Sequence, residues 1–160
     1  MSGIYIHIPY CKQACHYCNY HFSTSLNNKE SVINSMLKEI EIKSVGSNDL
    51  IQTIYFGGGT PSYISVKHLE ALVERVKAAM PWDSAREVAF ECEPGTLTES
   101  KIEAIKGIGV TRLSLGVENM NDDILRENGR AHVTEEIYRA MPWVKAAGFD
   151  QVNVDLISGM

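Results

Sequence analysis

An alternation of two periodicities restricts this chain more than any single residue does. Five short runs rich in β-branched and aromatic residues, at 4–9, 51–56, 87–92, 111–117 and 151–156, are separated by segments whose apolar residues recur at helical spacing. The first helix is predicted over 29–45, capped by Asn27 or Asn28, with Val32, Ile33, Met36, Leu37 and Ile40 on one face and a break at 46–49. The second starts at Ser65 and turns Leu69, Leu72, Val73, Val76 and Met80 inward. The third opens at Thr96 or Thr98, buries Leu97, Ile102, Ile105 and Ile108, and closes at Gly107 and Gly109. Residues 118–132 read as a polar connection. The last helix, 133–147, faces Ile137, Met141 and Val144 inward and ends at Gly148, and Pro142 within it predicts a kink or a break.

This order predicts one α/β domain over residues 1–160. Right-handed crossovers give a parallel sheet with outer helices, a TIM-like (βα) barrel or part of one. In such a sheet chemistry gathers at the C-terminal strand ends. The polar signatures of the chain fall there: a cysteine-rich loop, the Gly57-Gly-Gly-Thr60 turn, Glu91, Glu118 and Asp155.

The loop is Cys11-Lys-Gln-Ala-Cys15-His-Tyr-Cys18, directly after the first strand. A disulfide among three cysteines leaves one over, and spacings this short suit a metal ion or an iron–sulfur cluster. Three protein ligands leave one position open, which is where chemistry happens. A zinc ion completed by His16 or His21 is the plainer alternative. Cys92, alone on a strand, reads as a packed thiol, and His7 as a satisfied strand histidine. The net charge of −5 and pI near 5.5 count against a nucleic-acid surface. No apolar run approaches the roughly 20 residues that span a bilayer. Met1-Ser-Gly carries no basic leader, so a cytoplasmic protein with reduced thiols is expected.

Cys11-x3-Cys15-x2-Cys18, with Tyr17 before the last cysteine, resembles the signature of the radical S-adenosylmethionine (SAM) enzymes. Four further stretches are similar to the oxygen-independent coproporphyrinogen III oxidase group, and within it to the HemW branch of haem chaperones. They are Tyr5-Ile-His-Ile-Pro-Tyr-Cys11, Gly57-Gly-Gly-Thr-Pro61, Arg112-Leu-Ser-Leu-Gly-Val117 and Asn153-Val-Asp-Leu-Ile157. The resemblance implies that Cys11, Cys15 and Cys18 hold a [4Fe–4S] cluster whose fourth iron is chelated by SAM. One-electron reduction then cleaves the sulfonium to methionine and a 5′-deoxyadenosyl radical. It implies that Tyr5 and Tyr17 pack against cluster and nucleoside, and that Gly58, Gly59 and Thr60 let the backbone approach the methionine end. Glu91 and Asp155 are placed for ribose hydroxyls or the ammonium, and Arg130 for a carboxylate. Glu118 is a further contact of the nucleoside region. The implied partners are SAM, haem or a porphyrin substrate, an electron donor and a haem-accepting protein. Haem is an additional cofactor candidate, with His16, His21 and His132 as axial ligands.

Three departures from the family pattern bear on this. Tyr20 stands where the oxidases have a further cysteine, which favours the chaperone branch over the oxidases. Asn19 replaces an acid common in that branch. Glu118 stands where a glutamine is expected, and an ionised glutamate cannot donate a hydrogen bond, which counts against a second nucleoside site. Relatives continue through a sixth strand and a C-terminal domain, so a truncated radical SAM core is expected.

Overall fold

A computed structural model describes residues 2–44 and 50–160. The expected break at 46–49, and Val45 before it, lie outside the described residues. Strands β1 (Ser2–Ile8), β2 (Ile51–Gly58), β3 (Glu87–Cys92), β4 (Arg112–Glu118) and β5 (Gln151–Leu156) form one parallel sheet in sequential order. Helices α1 (Lys29–Ser44), α2 (Val66–Ala79), α3 (Glu99–Gly107), α4 (Asp122–Glu127) and α5 (Thr134–Ala147) connect them. The expected α/β architecture, a parallel sheet with helices arranged as part of a barrel, is the one observed.

Period-two alternation gives the sheet two unlike faces. Ile6, Ile8, Ile54, Phe56, Val88, Phe90, Leu113, Leu115 and Val117 are buried together with the inward residues of α2, α3 and α5 in one core. Burying a large aliphatic side chain contributes about 1.5–3 kcal/mol. A one-residue register slip would exchange the faces, so the pattern fixes the register. The residues between them, among them Tyr5, His7, Tyr55, Glu91, Ser114 and Asp155, carry polar groups to the other face.

Helix starts follow their caps. Ser65 Oγ accepts from His68 N–H, and Thr98 Oγ1 from Lys101 N–H. Thr98 is therefore the cap of α3, and Thr96 instead donates to the Glu93 carbonyl. Asn28 does not cap with its side chain, because Oδ1 accepts from the Tyr10 hydroxyl.

Several expectations change. β1 begins at Ser2 rather than residue 4. The 118–132 connection contains α4, whose cap Asn121 accepts from Asp123 and Ile124 N–H, with Asp122 and Asp123 in its first turn. Helix α5 runs through Pro142 without the expected break. The carbonyl that loses its donor belongs to Tyr138, on a solvent-facing turn (Tyr138 is 67% exposed), where water can replace the missing N–H. Met141 is exposed, and Ala140 takes the inward position between Ile137 and Val144. Along β5, Val152, Val154 and Leu156 are exposed. No helix among the described residues is long and apolar enough to cross a membrane.

Candidate functional site

One cavity opens at the C-terminal strand ends. Its walls include Cys11, Cys15, Tyr17, Cys18, Gly58, Gly59, Thr60, Glu91, Glu118, Arg130 and Asp155. These are all but one of the residues that the resemblance implies for cluster and SAM; His16, His21 and His132 do not line the cavity. The exception is Tyr5. It lies two residues before His7 on β1, deeper along the polar face, where its hydroxyl meets His7 Nδ1 at 3.1 Å and its ring neighbours Tyr55.

The cysteine loop is held mainly by backbone. Cys11 N–H donates to the Ser23 carbonyl, Ser23 N–H to the Pro9 carbonyl, and Cys18 N–H to the Cys15 carbonyl. All three thiols are free and half-buried. Burial pushes the Cys11 thiol up, and a hydrogen bond from Thr60 opposes it. Gly59 N–H donates to the Ile8 carbonyl, and a Cβ at Gly59 would come within 2.9 Å of Cys11 Sγ and the Tyr10 carbonyl. The missing side chain at 59 thus makes room for the chain's own cysteine loop.

The opposite wall is built by side chains. Arg130 Nη2 donates to the Gly116 carbonyl at 2.9 Å, and Nη1 to the Tyr17 hydroxyl at 3.1 Å and Cys15 Sγ at 3.5 Å. Glu118 Oε1 lies 3.8 Å from Nη1. Burial alone would depress the Arg130 guanidinium, but Tyr17, Cys15 and Glu118 around it hold it above its ordinary value. Burial raises Glu118, and Arg130 opposes that rise. Glu118 has φ +64°, and Asn119 N–H donates to the Val117 carbonyl across it. That is a γ-turn with its central residue in the left-handed region, a costly conformation for glutamate.

Behind this turn sits a pair the sequence reading missed. His132 Nδ1 and Glu93 Oε1 are 2.6 Å apart, and His132 Nε2 donates to the Val117 carbonyl at 3.2 Å. A carbonyl only accepts, so Nε2 carries the proton. With both ring nitrogens engaged and the side chain fully buried, His132 is not available as a haem ligand. Glu93 is fixed in turn: its N–H donates to Ser62 Oγ, and its carbonyl accepts from Thr96. Its Oε2 is buried without a partner among the described residues.

Two acids occupy the floor. Tyr55 donates to Glu91 Oε1 at 2.5 Å, and Ser114 to Asp155 Oδ2 at 2.7 Å. Burial raises Glu91 above the ordinary carboxylate range, against the Tyr55 bond, and Asp155 adds to the rise. Tyr55 and Ser114 were also missed. Each lies on the polar face of the strand next to its acid, the one signal that pointed to them.

The donor set fits an iron–sulfur cluster with SAM beside it. Three free thiols share a wall with an open cavity, and the glycine opposite Cys11 leaves space only for that loop. Of the two histidines considered for zinc, His16 commits Nδ1 to the Glu127 carbonyl, whereas only the backbone carbonyl of His21 is bonded, by His7.

Comparison with known proteins agrees with this geometry. The chain is 32% identical to the heme chaperone HemW of Bacillus subtilis over 164 residues, covering 100% of this chain and 43% of that protein. It is 29% identical to the oxygen-independent coproporphyrinogen III oxidase of a Synechocystis strain, covering 99% of this chain and 35% of the oxidase. Its fold superimposes on the coproporphyrinogen III oxidase HemN from Escherichia coli with a TM-score of 0.89 at 22% identity, over 99% of this chain and 37% of HemN. The chain therefore spans less than half the length of these relatives. A family model described as the radical SAM superfamily matches residues 5–160. The chain belongs to the radical SAM superfamily.

Proposed function

We propose that this chain binds a [4Fe–4S] cluster on Cys11, Cys15 and Cys18 and SAM in the adjoining cavity, as the incomplete radical SAM core of a HemW-like haem chaperone. The observation that carries the proposal is the shared cavity. Three thiols and a guanidinium that touches one of them line it together with two acids from the ends of β3 and β5. When bound, the cluster and SAM supply reductive cleavage of a sulfonium, chemistry that belongs to the cofactors.

The chain's own residues bind and orient. Glu91, Glu93, Glu118 and Asp155 outweigh Arg130 and Lys12 along the walls, which favours a ligand carrying sulfonium and ammonium charge. Arg130 supplies a positive charge for a carboxylate, although its N–H groups toward Cys15, Tyr17 and Gly116 are already engaged, and Glu91 and Asp155 accept from hydroxyl or ammonium groups. Tyr17 and the Gly58–Thr60 backbone flank the same space. An electron donor, haem and a haem-accepting protein are the proposed partners, in the cytoplasm.

HemW proteins among the relatives support the chaperone reading, as does Tyr20 in place of a further cysteine. The overlay on HemN favours a second reading, oxidative decarboxylation of coproporphyrinogen III. The two separate in the full-length protein, reconstituted anaerobically and supplied with SAM and a reductant. A chaperone retains haem and passes it to an apo-haemoprotein while leaving coproporphyrinogen III unchanged. Conversion of coproporphyrinogen III to a decarboxylated product would overturn the chaperone assignment.

A further inference from the structure

We infer that His16 is a positioning residue that locks the cysteine loop to the β4 side of the cavity and so sets how firmly the cluster is held. The inference rests on the cluster reading above. His16 N–H donates to the Asn128 carbonyl at 3.0 Å, and its Nδ1 to the Glu127 carbonyl at 2.7 Å. Those carbonyls lie at the C-terminal end of α4, where backbone acceptors lack intrahelical partners. One residue therefore gives two consecutive carbonyls their donors, across more than 100 positions of sequence.

The joint is close-packed from the other side. Gly129 has φ +68°, and a Cβ there would lie 2.8 Å from the Ala14 carbonyl and 3.0 Å from His16 Nε2. Only glycine reaches that conformation and that distance without strain. The next residue is Arg130, whose Nη1 donates to Cys15 Sγ. Arg130 and the Glu127 and Asn128 carbonyls thus hold the two residues on either side of a single peptide bond, Cys15 by its sulfur and His16 by its ring and N–H. The Tyr17 hydroxyl, which accepts from Arg130 Nη1 at 3.1 Å, is a further loop side-chain tie of this length to the β4 side. Groups that orient metal ligands from behind typically change metal retention by about 10–100-fold when removed.

The test compares His16→Phe, His16→Asn and Gly129→Ala in the full-length protein. Each is reconstituted anaerobically with iron and sulfide and then challenged with an iron chelator. His16→Phe keeps a ring without the donor, whereas the Asn amide nitrogen takes the place of Nδ1. His16→Phe and Gly129→Ala are expected to lose iron on the order of tenfold faster than the parent, with His16→Asn within about threefold of it. Their reduced clusters should also show altered EPR signals and a shifted midpoint potential, because the Arg130 N–H is no longer held in a fixed position beside Cys15 Sγ. Equal release rates for His16→Phe and the parent would overturn the inference. So would His16→Asn failing as badly as His16→Phe. A parent protein that takes up no cluster at all would instead overturn the cluster reading.

Discussion

The two walls of the cavity are made in different ways. On the β4 side, buried His132 and Glu93 and partly buried Arg130 and Glu118 are tied in two pairs and to the Gly116 and Val117 carbonyls. On the β1 side, three thiols stand half-buried on a loop held chiefly by backbone hydrogen bonds. The first wall is completed by folding. The second is left for an inorganic group to complete. Stability and cofactor loading should therefore respond to different residues.

The largest contrast is expected from Cys18→Ser. Iron and sulfide content should fall to background, while the unfolding free energy of the iron-free protein moves by less than about 0.5 kcal/mol. A large loss of iron-free stability would show that the loop is folded by its thiols after all.

His132→Phe should do the reverse. It leaves the Glu93 carboxylate buried with both oxygens unpaired, and breaking a buried pair costs about 3–5 kcal/mol in denaturant unfolding. Arg130→Met should cost less, about 2 kcal/mol, because Glu118 keeps some access to water. Adding Glu118→Gln should recover much of that loss, and failure to recover it would mean that the two side chains are not coupled.

Glu91→Gln should have the smallest effect and the opposite sign. Burial raises Glu91, so the folded state binds its proton more tightly than the unfolded chain does. That contribution is present at low pH and fades as pH rises through the raised value. The amide keeps an acceptor for Tyr55, so the variant should be the more stable by less than about 1 kcal/mol at neutral pH and equal to the parent in acid. A gain that grew toward acid would contradict the sign.

Strand order, inner and outer faces and the cysteine loop were legible because each depends on local pattern: period two, helical spacing, short cysteine spacing. Helix α4 reads in the sequence as a polar connection, because the polarity of its surroundings hides the signal of Asn121 followed by two acids and two aliphatics. Glu93–His132, Tyr55–Glu91, Ser114–Asp155 and His16–Glu127 were not legible. Their partners lie 36 to 111 residues apart, and only strand register and the path of the crossovers bring them together. No local signal marks Glu118 as left-handed either, since glutamate rarely adopts that backbone. Ala140 replaced Met141 at the core because three aliphatic positions leave the phase of a helix undetermined by one residue.

The most direct test is metal analysis of the full-length protein reconstituted anaerobically, joined to EPR of its reduced form with and without SAM. About four irons and four acid-labile sulfides per chain, with a spectrum that changes when SAM is added, is the predicted result. One zinc per chain without labile sulfide, or a cluster spectrum indifferent to SAM, would contradict it.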